Sequence, residues 1–296
     1  MKIAIGIPAF NEEKNIASIL LKLEKLTDQL IVCDDGSTDL TSDISKKFGA
    51  IVIKHPKNIG YGGAIRSLFL KAKELNIDIL VTFDADGQHR VEDIKSVINP
   101  IVKEKIDVVI GSRFLNKEDE KEIPKYRKIG IKTITALAST SMNEKLTDSQ
   151  SGFRAYSKKV LQGITPSEYG MGVSTELLIK ANKRGFKIKE VPITVLYEGD
   201  TSTHHPVSHG VSVILSTMKF ISIEHPLKFY GIPGLVFLGI GLFFMVWTIQ
   251  AFTETRQIIT NIFLIGIGST IIATIMIMTS ILLYTLVNVV RERNQN

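Results

Sequence analysis

Two long apolar stretches near the end of this chain constrain its fold more than any other feature. The first runs from Phe229 to Phe252, and the second, from Ile258 to Val290, is longer still. Each exceeds the roughly 20 residues that a helix needs to cross the hydrocarbon core of a bilayer. Only the five residues T-E-T-R-Q separate them, so the sequence predicts a transmembrane helical hairpin whose two ends face the same side.

The positions of the basic residues orient this hairpin. Lys219 and Lys228 precede the first apolar stretch, and Arg291 and Arg293 follow the second, which is typical of segments on the cytoplasmic side. The chain starts M-K-I-A-I-G-I-P, where a proline interrupts the apolar residues too early for a signal peptide. The single cysteine also fits a reducing compartment. We therefore expect a two-span protein of the cell membrane, with its N-terminal part and both termini in the cytoplasm.

The first 200 residues have a different pattern, in which short apolar, β-branched runs alternate with charged helical stretches. The predicted strands include Met1 to Ile7, Leu30 to Cys33, Ile51 to Lys54 and Ile77 to Phe83. Strands that alternate with helices predict an α/β domain, in which a mostly parallel sheet is covered by helices on both faces. In such sheets, ligands bind outside the carboxyl ends of the strands.

The segment F-D-A-D-G-Q lies at the end of the strand that finishes at Phe83. A tight turn, helped by Gly87, could aim the carboxylates of Asp84 and Asp86 at one hard cation. Mg²⁺ and Mn²⁺ favour oxygen ligands, and Mg²⁺ commonly binds through one or two carboxylates together with substrate phosphates. The pair therefore indicates chemistry on a nucleotide-linked substrate, although the same pattern also occurs in polar loops and at helix starts.

Other polar clusters follow other predicted strands. Asn11 and Glu12 follow the first strand, and Asp34 and Asp35 follow the second. The two aspartates could accept hydrogen bonds from a ribose or a base edge, or could instead cap the next helix. The glycine-rich loop from Asn58 to Gly63 could let its backbone approach a phosphate, or could simply form a turn. Because the clusters fall at strand ends, they indicate a single site.

The order of the motifs resembles family 2 glycosyltransferases. These motifs are I-P-A-F-N-E-E, D-D-G-S-T-D-L-T, N-I-G-Y-G-G-A-I-R, D-A-D-G-Q-H, G-S-R-F and Q-S-G-F-R-A-Y. The chain is most similar to the polyprenyl-phosphate glycosyltransferases, which include dolichyl-phosphate mannose and glucose synthases. The resemblance implies a GT-A-type nucleotide-sugar-binding domain over residues 1–202. An amphipathic juxtamembrane segment would follow over 203–228, and the transmembrane hairpin over 229–296.

The resemblance also implies which residues bind the donor and its metal ion. Nucleoside contacts would come from Pro8, Phe10, Glu12 and Asp35, with the backbone at Gly60 close to the donor. The divalent cation, Mg²⁺ or Mn²⁺, would be held against the diphosphate by Asp84, Asp86 and Gln88. Of these, Asp86 is the first choice for direct ligation.

The remaining implied residues belong to the acceptor side. Arg113 and Arg127 would contact the acceptor phosphate or the diphosphate, although both could be ordinary surface charges. Ser151 and Arg154 would border the acceptor, and Ser202 would lie in a loop over the donor. In that loop, His204, His205 and His209 stand where dolichyl-phosphate mannose synthases tend to carry arginine and lysine. Three clustered histidines could also indicate zinc, but no strict ligand spacing supports it.

The acceptor decides whether the reaction needs a general base. A lipid phosphate has a second pKa near ~6 and is mostly ionised at neutral pH, so a strong base is dispensable. A hydroxyl acceptor would need a carboxylate base, for which Asp148 is the candidate. Asp148 could instead only orient Arg154 or the lipid phosphate. For Glu176 we favour a structural role.

These observations predict an inverting transferase that moves one hexose or N-acetylhexosamine from a nucleotide sugar, UDP-linked rather than GDP-linked, to a polyprenyl or dolichyl phosphate. Alternatives are transfer to a hydroxyl of a lipid-linked saccharide or diacylglycerol, and a non-catalytic membrane subunit. The net charge of +6 favours attraction to membrane lipid over nucleic-acid binding. Assembly into a homo-oligomer stays open.

Overall fold

The structure is a computed structural model of the 296-residue chain. It describes residues 1–116, 123, 125–142, 145–196, 218, 222, 225–257 and 259–293. These residues divide into two compact units, Met1–Thr217 and Met218–Asn296. The division falls inside the juxtamembrane segment 203–228, most of which lies outside the described residues. Ser202, His204, His205 and His209, predicted to lie in the loop over the donor, are also outside them.

The first unit contains a seven-stranded sheet. The strands are β1 (Ile3–Ala9), β2 (Gln29–Asp34), β3 (Ile51–Lys54), β4 (Ile79–Thr82), β5 (Val108–Ser112), β6 (Arg154–Ser157) and β7 (Ile188–Pro192). Their spatial order is β3-β2-β1-β4-β6-β5-β7. β6 runs antiparallel to both of its neighbours, and all other pairings are parallel. The predicted mostly parallel sheet is therefore confirmed.

Helices connect most of these strands. They are α1 (Ile16–Leu23), α2 (Thr41–Lys47), α3 (Tyr61–Glu74), α4 (Ile94–Glu104), α5 (Lys125–Met142), α6 (Lys158–Gly163) and α7 (Val173–Lys183). Short 3₁₀ turns at Glu24–Leu26 and Val91–Asp93 adjoin α1 and α4. Helix α3 begins at Tyr61, inside the glycine-rich loop predicted from Asn58 to Gly63, because Gly60, with φ +101°, turns the chain directly into the helix.

Both faces of the sheet are covered. Every residue of β1 from Ala4 to Ala9 is buried, and β4 is buried throughout. Successive side chains of a strand point to opposite faces, so continuous burial requires packing on both sides. Polar side chains that must meet a ligand are therefore confined to the edge where the strands end.

The antiparallel strand β6 brings a second set of loops to this edge. In the register, Thr82 at the end of β4 pairs with Arg154 at the start of β6, and Ile110 of β5 pairs with the same residue. The loop that precedes β6 therefore opens at the carboxyl ends of β1, β2, β4 and β5. This places Gly152 beside the residues that follow β4.

The second unit consists of two long helices. α8 spans Ile232–Thr255, after a π-helical turn at Leu227–Gly231, and α9 spans Thr260–Arg293. The ranges Leu227–Thr255 and Thr260–Val287 are long and apolar enough to cross a membrane, each with mean hydropathy 2.2. Small residues allow the helices to approach, since a Cβ at Gly234 would lie 2.9 Å from the Ile277 side chain. The two predicted apolar spans are thus two packed helices.

Candidate active site

The loops that follow β1 and β2 are hydrogen-bonded to each other. Asn11 has φ 55°, and its backbone N–H donates to the Ser37 hydroxyl at 2.9 Å. The Asn11 side-chain oxygen accepts the Thr38 N–H at 2.9 Å, and the Glu12 N–H donates to the Thr41 hydroxyl at 2.8 Å. The polar clusters predicted at two strand ends therefore form one wall of a common site.

Asp35 anchors the loop that leads into α3. Its side chain is buried, with Oδ1 2.7 Å from His55 Nδ1 and 3.0 Å from the Ile59 nitrogen, which donates to it. Oδ2 accepts the Gly60 N–H at 2.8 Å. The other ring nitrogen of His55 lies 2.8 Å from the Ser67 hydroxyl. Asp35 is therefore not a helix cap, and His55, which sequence reasoning missed, is its main side-chain partner.

The glycines of N-I-G-Y-G-G approach the protein backbone at Tyr169, and the predicted approach of this loop to a donor phosphate stays a prediction. A Cβ at Gly60 would lie 2.5 Å from the Tyr169 carbonyl oxygen. The same carbonyl accepts the Gly62 N–H at 2.8 Å. The space beside Gly60 is thus filled by the segment before α7. The sequence correctly indicated a close approach at these glycines but could not identify the approaching group.

The two aspartates after β4 lie in a turn, as predicted. Gly87 has φ +74°, and the Asp86 carboxylate accepts the Gln88 N–H at 2.9 Å. Asp84 Oδ1 accepts the Tyr61 hydroxyl at 3.2 Å, and Oδ2 lies 3.3 Å from His89 Nε2. Burial raises the pKa of Asp84, but the hydrogen bond and charge of His89, together with Tyr61, outweigh it and lower this pKa below its usual range.

Negative charge is concentrated at this edge of the sheet. Burial is the main cause that raises the pKa of Glu12, against a hydrogen bond from Asn15 that lowers it. The charges of Asp86, Asp39 and Asp84 raise the same pKa further. Because these carboxylates repel one another, a cation bound among them would stabilise their ionised forms.

Arg113 and Asp148 form a buried ion pair beside these acids. The Arg113 guanidinium donates twice to Asp148, from Nε to Oδ2 at 2.6 Å and from Nη2 to Oδ1 at 2.8 Å. Oδ1 also accepts the backbone N–H groups of Gln150 and Ser151, both at 3.1 Å. Burial raises the pKa of Asp148, but the charge and hydrogen bonds of Arg113 outweigh it and lower the pKa. Both oxygens of Asp148 are therefore occupied by protein N–H groups, and its carboxylate fixes the orientation of the Arg113 guanidinium.

Glu190 of β7 supports this pair from behind. Its Oε1 accepts the Asp148 N–H at 2.8 Å, and its Oε2 accepts the Thr147 N–H at 2.9 Å. The charge of Arg113 also contributes to the lowered pKa of Asp84. The guanidinium is thus bound to Asp148 and acts electrostatically on Asp84, while its predicted contact with a substrate phosphate stays a prediction.

Arg154 and Ser151 differ from the expectation that they border an acceptor. Only 1% of Arg154 is exposed, and its guanidinium donates to the carbonyls of Ser151, Ser174 and Ser149 at 2.7–2.8 Å. Ser151 is also buried. Arg154 therefore fixes the loop before β6 onto α7, and this bracing prevents it from reaching a ligand.

Glu176 has the structural role expected for it. It is fully buried, accepts the backbone N–H groups of Ser167 and Glu168 at 2.9 and 2.8 Å, and forms an ion pair with Lys180. These contacts hold the segment before α7 against α7 itself. The location of this glutamate on a buried helix face was the sequence signal for that role.

The other predicted site residues are placed as follows. Pro8 is buried in β1 opposite Cys33 of β2, and Phe10 is half-buried at the end of that strand. Arg127 lies on α5, and its side chain is outside the described part of the chain. The geometry therefore gathers the acidic residues with Arg113 and leaves the contribution of Arg127 as a prediction.

The family of this chain follows from its match to a sequence model of a known protein family. The model named glycosyl transferase family 2 matches residues 4–165 of the 296-residue chain. The chain belongs to this family. The resemblance seen in the motifs is thereby confirmed.

Two curated relatives share most of the length of this glycosyltransferase. The UDP-N-acetylglucosamine–dolichyl-phosphate N-acetylglucosaminyltransferase of Methanococcus voltae is 37% identical over 234 residues, which cover 72% of this chain and 91% of the relative. The dolichyl-phosphate hexose transferase of Haloferax volcanii is 31% identical over 228 residues, covering 76% and 96%.

A solved structure supports the GT-A-like fold of the glycosyltransferase. Glucosyl-3-phosphoglycerate synthase from Mycobacterium tuberculosis, crystallised with Mn²⁺, uridine diphosphate and glucosyl-3-phosphoglycerate, superposes with a TM-score of 0.58. The two chains are 23% identical, and the match covers 74% of this chain and 79% of the synthase. At this identity the likeness concerns the fold.

The donor atoms of the glycosyltransferase suit a divalent cation that shares its coordination with a substrate. The described residues contain no group of three or more His, Cys, Asp or Glu side chains arranged to hold a metal ion. Mg²⁺ is usually bound by one or two carboxylates with phosphates and water rather than by a complete protein cage. The oxygens of Asp84 and Asp86, surrounded by further negative charge, fit such an ion.

Proposed function

We propose that this glycosyltransferase moves a single hexose or N-acetylhexosamine from a UDP-sugar to a polyprenyl phosphate such as dolichyl phosphate, with inversion at the sugar carbon. The observation that carries the proposal is the Arg113–Asp148 pair. Asp148, the candidate base for a hydroxyl acceptor, is fully buried and committed to Arg113. A phosphate acceptor brings its own negative charge, so it needs a positioned cation and no base.

The donor half of the site follows from the acids at the sheet edge. Transfer breaks the bond between the sugar carbon and the diphosphate, on which negative charge develops. A divalent cation supplies charge neutralisation and orientation at that diphosphate. Asp86 would be its first ligand, with Asp84 and Gln88 beside it. Pro8, Phe10, Glu12 and Asp35 would line the nucleoside pocket. Uridine is favoured because the Methanococcus relative is named for a UDP-sugar and the Mycobacterium structure contains uridine diphosphate.

The acceptor half depends on Arg113. A guanidinium recognises a phosphate through two parallel hydrogen bonds, and its ion pair with Asp148 fixes the plane in which they point. Holding the acceptor oxygen in line with the sugar carbon supplies catalysis without covalent chemistry by the protein. Arg127 would be a second cation for the same phosphate.

The two long apolar helices would anchor the enzyme in the membrane that contains the acceptor lipid. Residues 1–202 would form the cytoplasmic catalytic domain, 203–228 a segment along the membrane surface, and 229–296 a two-span hairpin with both termini in the cytoplasm. A lipid phosphate keeps its tail in the bilayer and its head at the surface. An enzyme attached to that membrane can reach the head without extracting the lipid.

Transfer from radiolabelled UDP- and GDP-sugars to polyprenyl phosphate tests this function. The full chain is solubilised in detergent with Mg²⁺ or Mn²⁺, and Asp86→Ala is compared with Asp43→Ala, which changes an exposed carboxylate of α2 that pairs with Lys46. We expect a labelled, mild-acid-labile lipid that requires the metal and Asp86 but not Asp43.

Two other results would redirect the assignment. Transfer to a diacylglycerol or to a lipid-linked saccharide, with no product on polyprenyl phosphate, would indicate a hydroxyl acceptor. Binding of nucleotide sugar without transfer to any acceptor would indicate a non-catalytic subunit. The contacts of Asp148 count against the first alternative, since they leave that carboxylate committed to Arg113.

A further inference from the structure

Three residues from separate parts of the chain surround the carboxylate of Asp84. Tyr61 lies at the first position of α3, His89 follows the turn after β4, and Gly152 precedes β6. The Tyr61 hydroxyl donates to Asp84 Oδ1 at 3.2 Å, and His89 Nε2 lies 3.3 Å from Oδ2. We call Tyr61, His89 and Gly152 the Asp84 clamp.

Gly152 is the side of the clamp that no side chain could occupy. A Cβ at this position would lie 2.5 Å from the Tyr61 hydroxyl oxygen, and 2.6 and 2.9 Å from the two oxygens of Asp84. Its φ lies outside the left-handed region, so the requirement for glycine is one of space rather than of backbone conformation. The Thr82 hydroxyl donates to the Gly152 carbonyl at 2.6 Å, which fixes this close approach.

His89 is held rigidly where it faces Asp84. Its ring packs against Phe83 and Phe153, with centroids 5.8 and 5.1 Å away, and its side chain is 8% exposed. Its backbone forms an isolated bridge with Val195. The ring therefore has little freedom to follow Asp84 if that carboxylate rotates, so the position of the hydrogen bond is set by the packing.

We propose that Tyr61 is a positioning residue for the metal–diphosphate site: with His89, it fixes the orientation of the Asp84 carboxylate, in space that Gly152 leaves free. The inference rests on the proposed function and adds residues that neither the D-A-D motif nor the fold identifies. A carboxylate held at both oxygens presents its remaining lone pairs in one direction, so the cation meets a preformed arrangement. Partners of this kind typically change metal affinity roughly 10- to 100-fold when they are removed.

Binding of Mn²⁺ to the full, detergent-solubilised chain in the presence of UDP provides a readout that does not depend on turnover. Free Mn²⁺ is measured by its paramagnetic resonance signal. Tyr61→Phe removes the hydroxyl alone and is expected to weaken Mn²⁺ binding about tenfold. The control is Tyr284→Phe, which removes a hydroxyl from a tyrosine of α9 that is 45% exposed. The control is expected to bind Mn²⁺ as the unchanged protein does.

Gly152→Ala tests the same clamp from the other side. The new methyl group is expected to displace Asp84 and weaken Mn²⁺ binding more than Tyr61→Phe does. Because one of its contacts is the Tyr61 hydroxyl, adding Tyr61→Phe to Gly152→Ala should cost less than the product of the two single effects. Thermal unfolding of each variant shows which proteins are folded. If Gly152→Ala does not fold, Tyr61→Phe and its control alone decide whether Tyr61 positions Asp84.

The outcomes separate the clamp from the function. Unchanged binding in Tyr61→Phe, or equal weakening in Tyr61→Phe and Tyr284→Phe, would overturn the positioning role while the proposed function stands. Failure of the unchanged protein to bind Mn²⁺ with any nucleoside diphosphate would instead overturn the proposed donor site.

Discussion

Replacing Asp148 with asparagine removes one buried negative charge and leaves the shape of the side chain almost unchanged. Each carboxylate oxygen accepts N–H groups in the structure: Oδ2 those of the Arg113 backbone and Nε, and Oδ1 those of Arg113 Nη2, Gln150 and Ser151. An amide accepts only at its oxygen, so the NH₂ group of asparagine must face at least two of these donors. Breaking a buried ion pair by removing one partner costs about 3–5 kcal/mol. The Arg113 side chain is 18% exposed, so we expect the lower end of this range.

Thermal unfolding of the full chain in detergent, followed by far-ultraviolet circular dichroism, measures this loss. For a domain of about 150–250 residues, 1 kcal/mol shifts Tm by roughly 2–4 °C, so a loss of ~3 kcal/mol lowers Tm by about 6–12 °C. The change should depend on pH. The folded pKa of Asp148 is lowered, so its stabilisation is complete above the unfolded value near ~3.9 and is lost as pH falls through the folded pKa. The Tm difference should therefore be full at pH 7 and shrink below about pH 4.

The same variant distinguishes a positioning role from general-base catalysis. If Asp148 orients Arg113, Asp148→Asn should raise KM for polyprenyl phosphate together with the loss of Tm. The double variant Arg113→Ala/Asp148→Asn should be less destabilised than the two single changes added together, because it leaves no unpaired buried charge. An Asp148→Asn protein with unchanged Tm, unchanged KM and a kcat lowered about 100-fold or more would refute this reasoning and restore the general base.

Three further predictions concern the loops behind the site. Gly60→Ala should lower Tm by several degrees, because the new Cβ would clash with the Tyr169 carbonyl and because alanine rarely adopts a φ of +101°. Thermal unfolding followed by circular dichroism measures this change, and an unchanged Tm would contradict it. His55→Ala should lower the free energy of unfolding by about 2 kcal/mol and weaken UDP binding, because it removes the hydrogen-bond partner of Asp35. Scanning calorimetry measures the loss of stability and titration calorimetry the binding. Unchanged UDP binding would show that Asp35 does not belong to the donor site. Burial and the charge of Asp35 raise the pKa of the Cys33 thiol to about 12. This thiol should therefore resist alkylation by iodoacetamide at pH 8 until the protein is unfolded in guanidinium. Rapid reaction of the folded protein would contradict the burial of Cys33.

Local sequence patterns predicted much of this fold because they depend on near neighbours in the chain. The apolar run of β4, the turn at Gly87 and the two long helices each follow from residues within one segment. The α/β alternation likewise predicted a mostly parallel sheet. The antiparallel direction of β6 was not predicted, since R-A-Y-S carries no signal of strand direction and its pairing with β4 joins residues more than 70 positions apart.

The functional residues that sequence reasoning missed are those whose role depends on distant partners. Gly152 belongs to the motif Q-S-G-F-R, yet nothing in that motif shows that this glycine borders Asp84. His55 follows β3 as a lone histidine, and only the fold places it against Asp35. Arg154 has the residue type of a phosphate ligand, but three carbonyls occupy its guanidinium. Residue type alone therefore does not separate a group that meets substrate from one that holds the site together.

The acidic residues of the site are of two kinds, buried and partly exposed, and this difference bears on which acceptor suits the site. Asp35 and Asp148 are buried and filled with protein hydrogen bonds, whereas Asp84 and Asp86 stay partly exposed at the sheet edge. The buried pair of Asp148 and Arg113 fixes a cation without offering a proton acceptor, and the exposed acids create negative charge that a divalent ion can balance. A hydroxyl acceptor could not use Asp148 as its base while that carboxylate is paired with Arg113. Under the proposed function, an ionised phosphate would meet the oriented guanidinium and the metal-bound donor, and it would need no base to attack the sugar carbon.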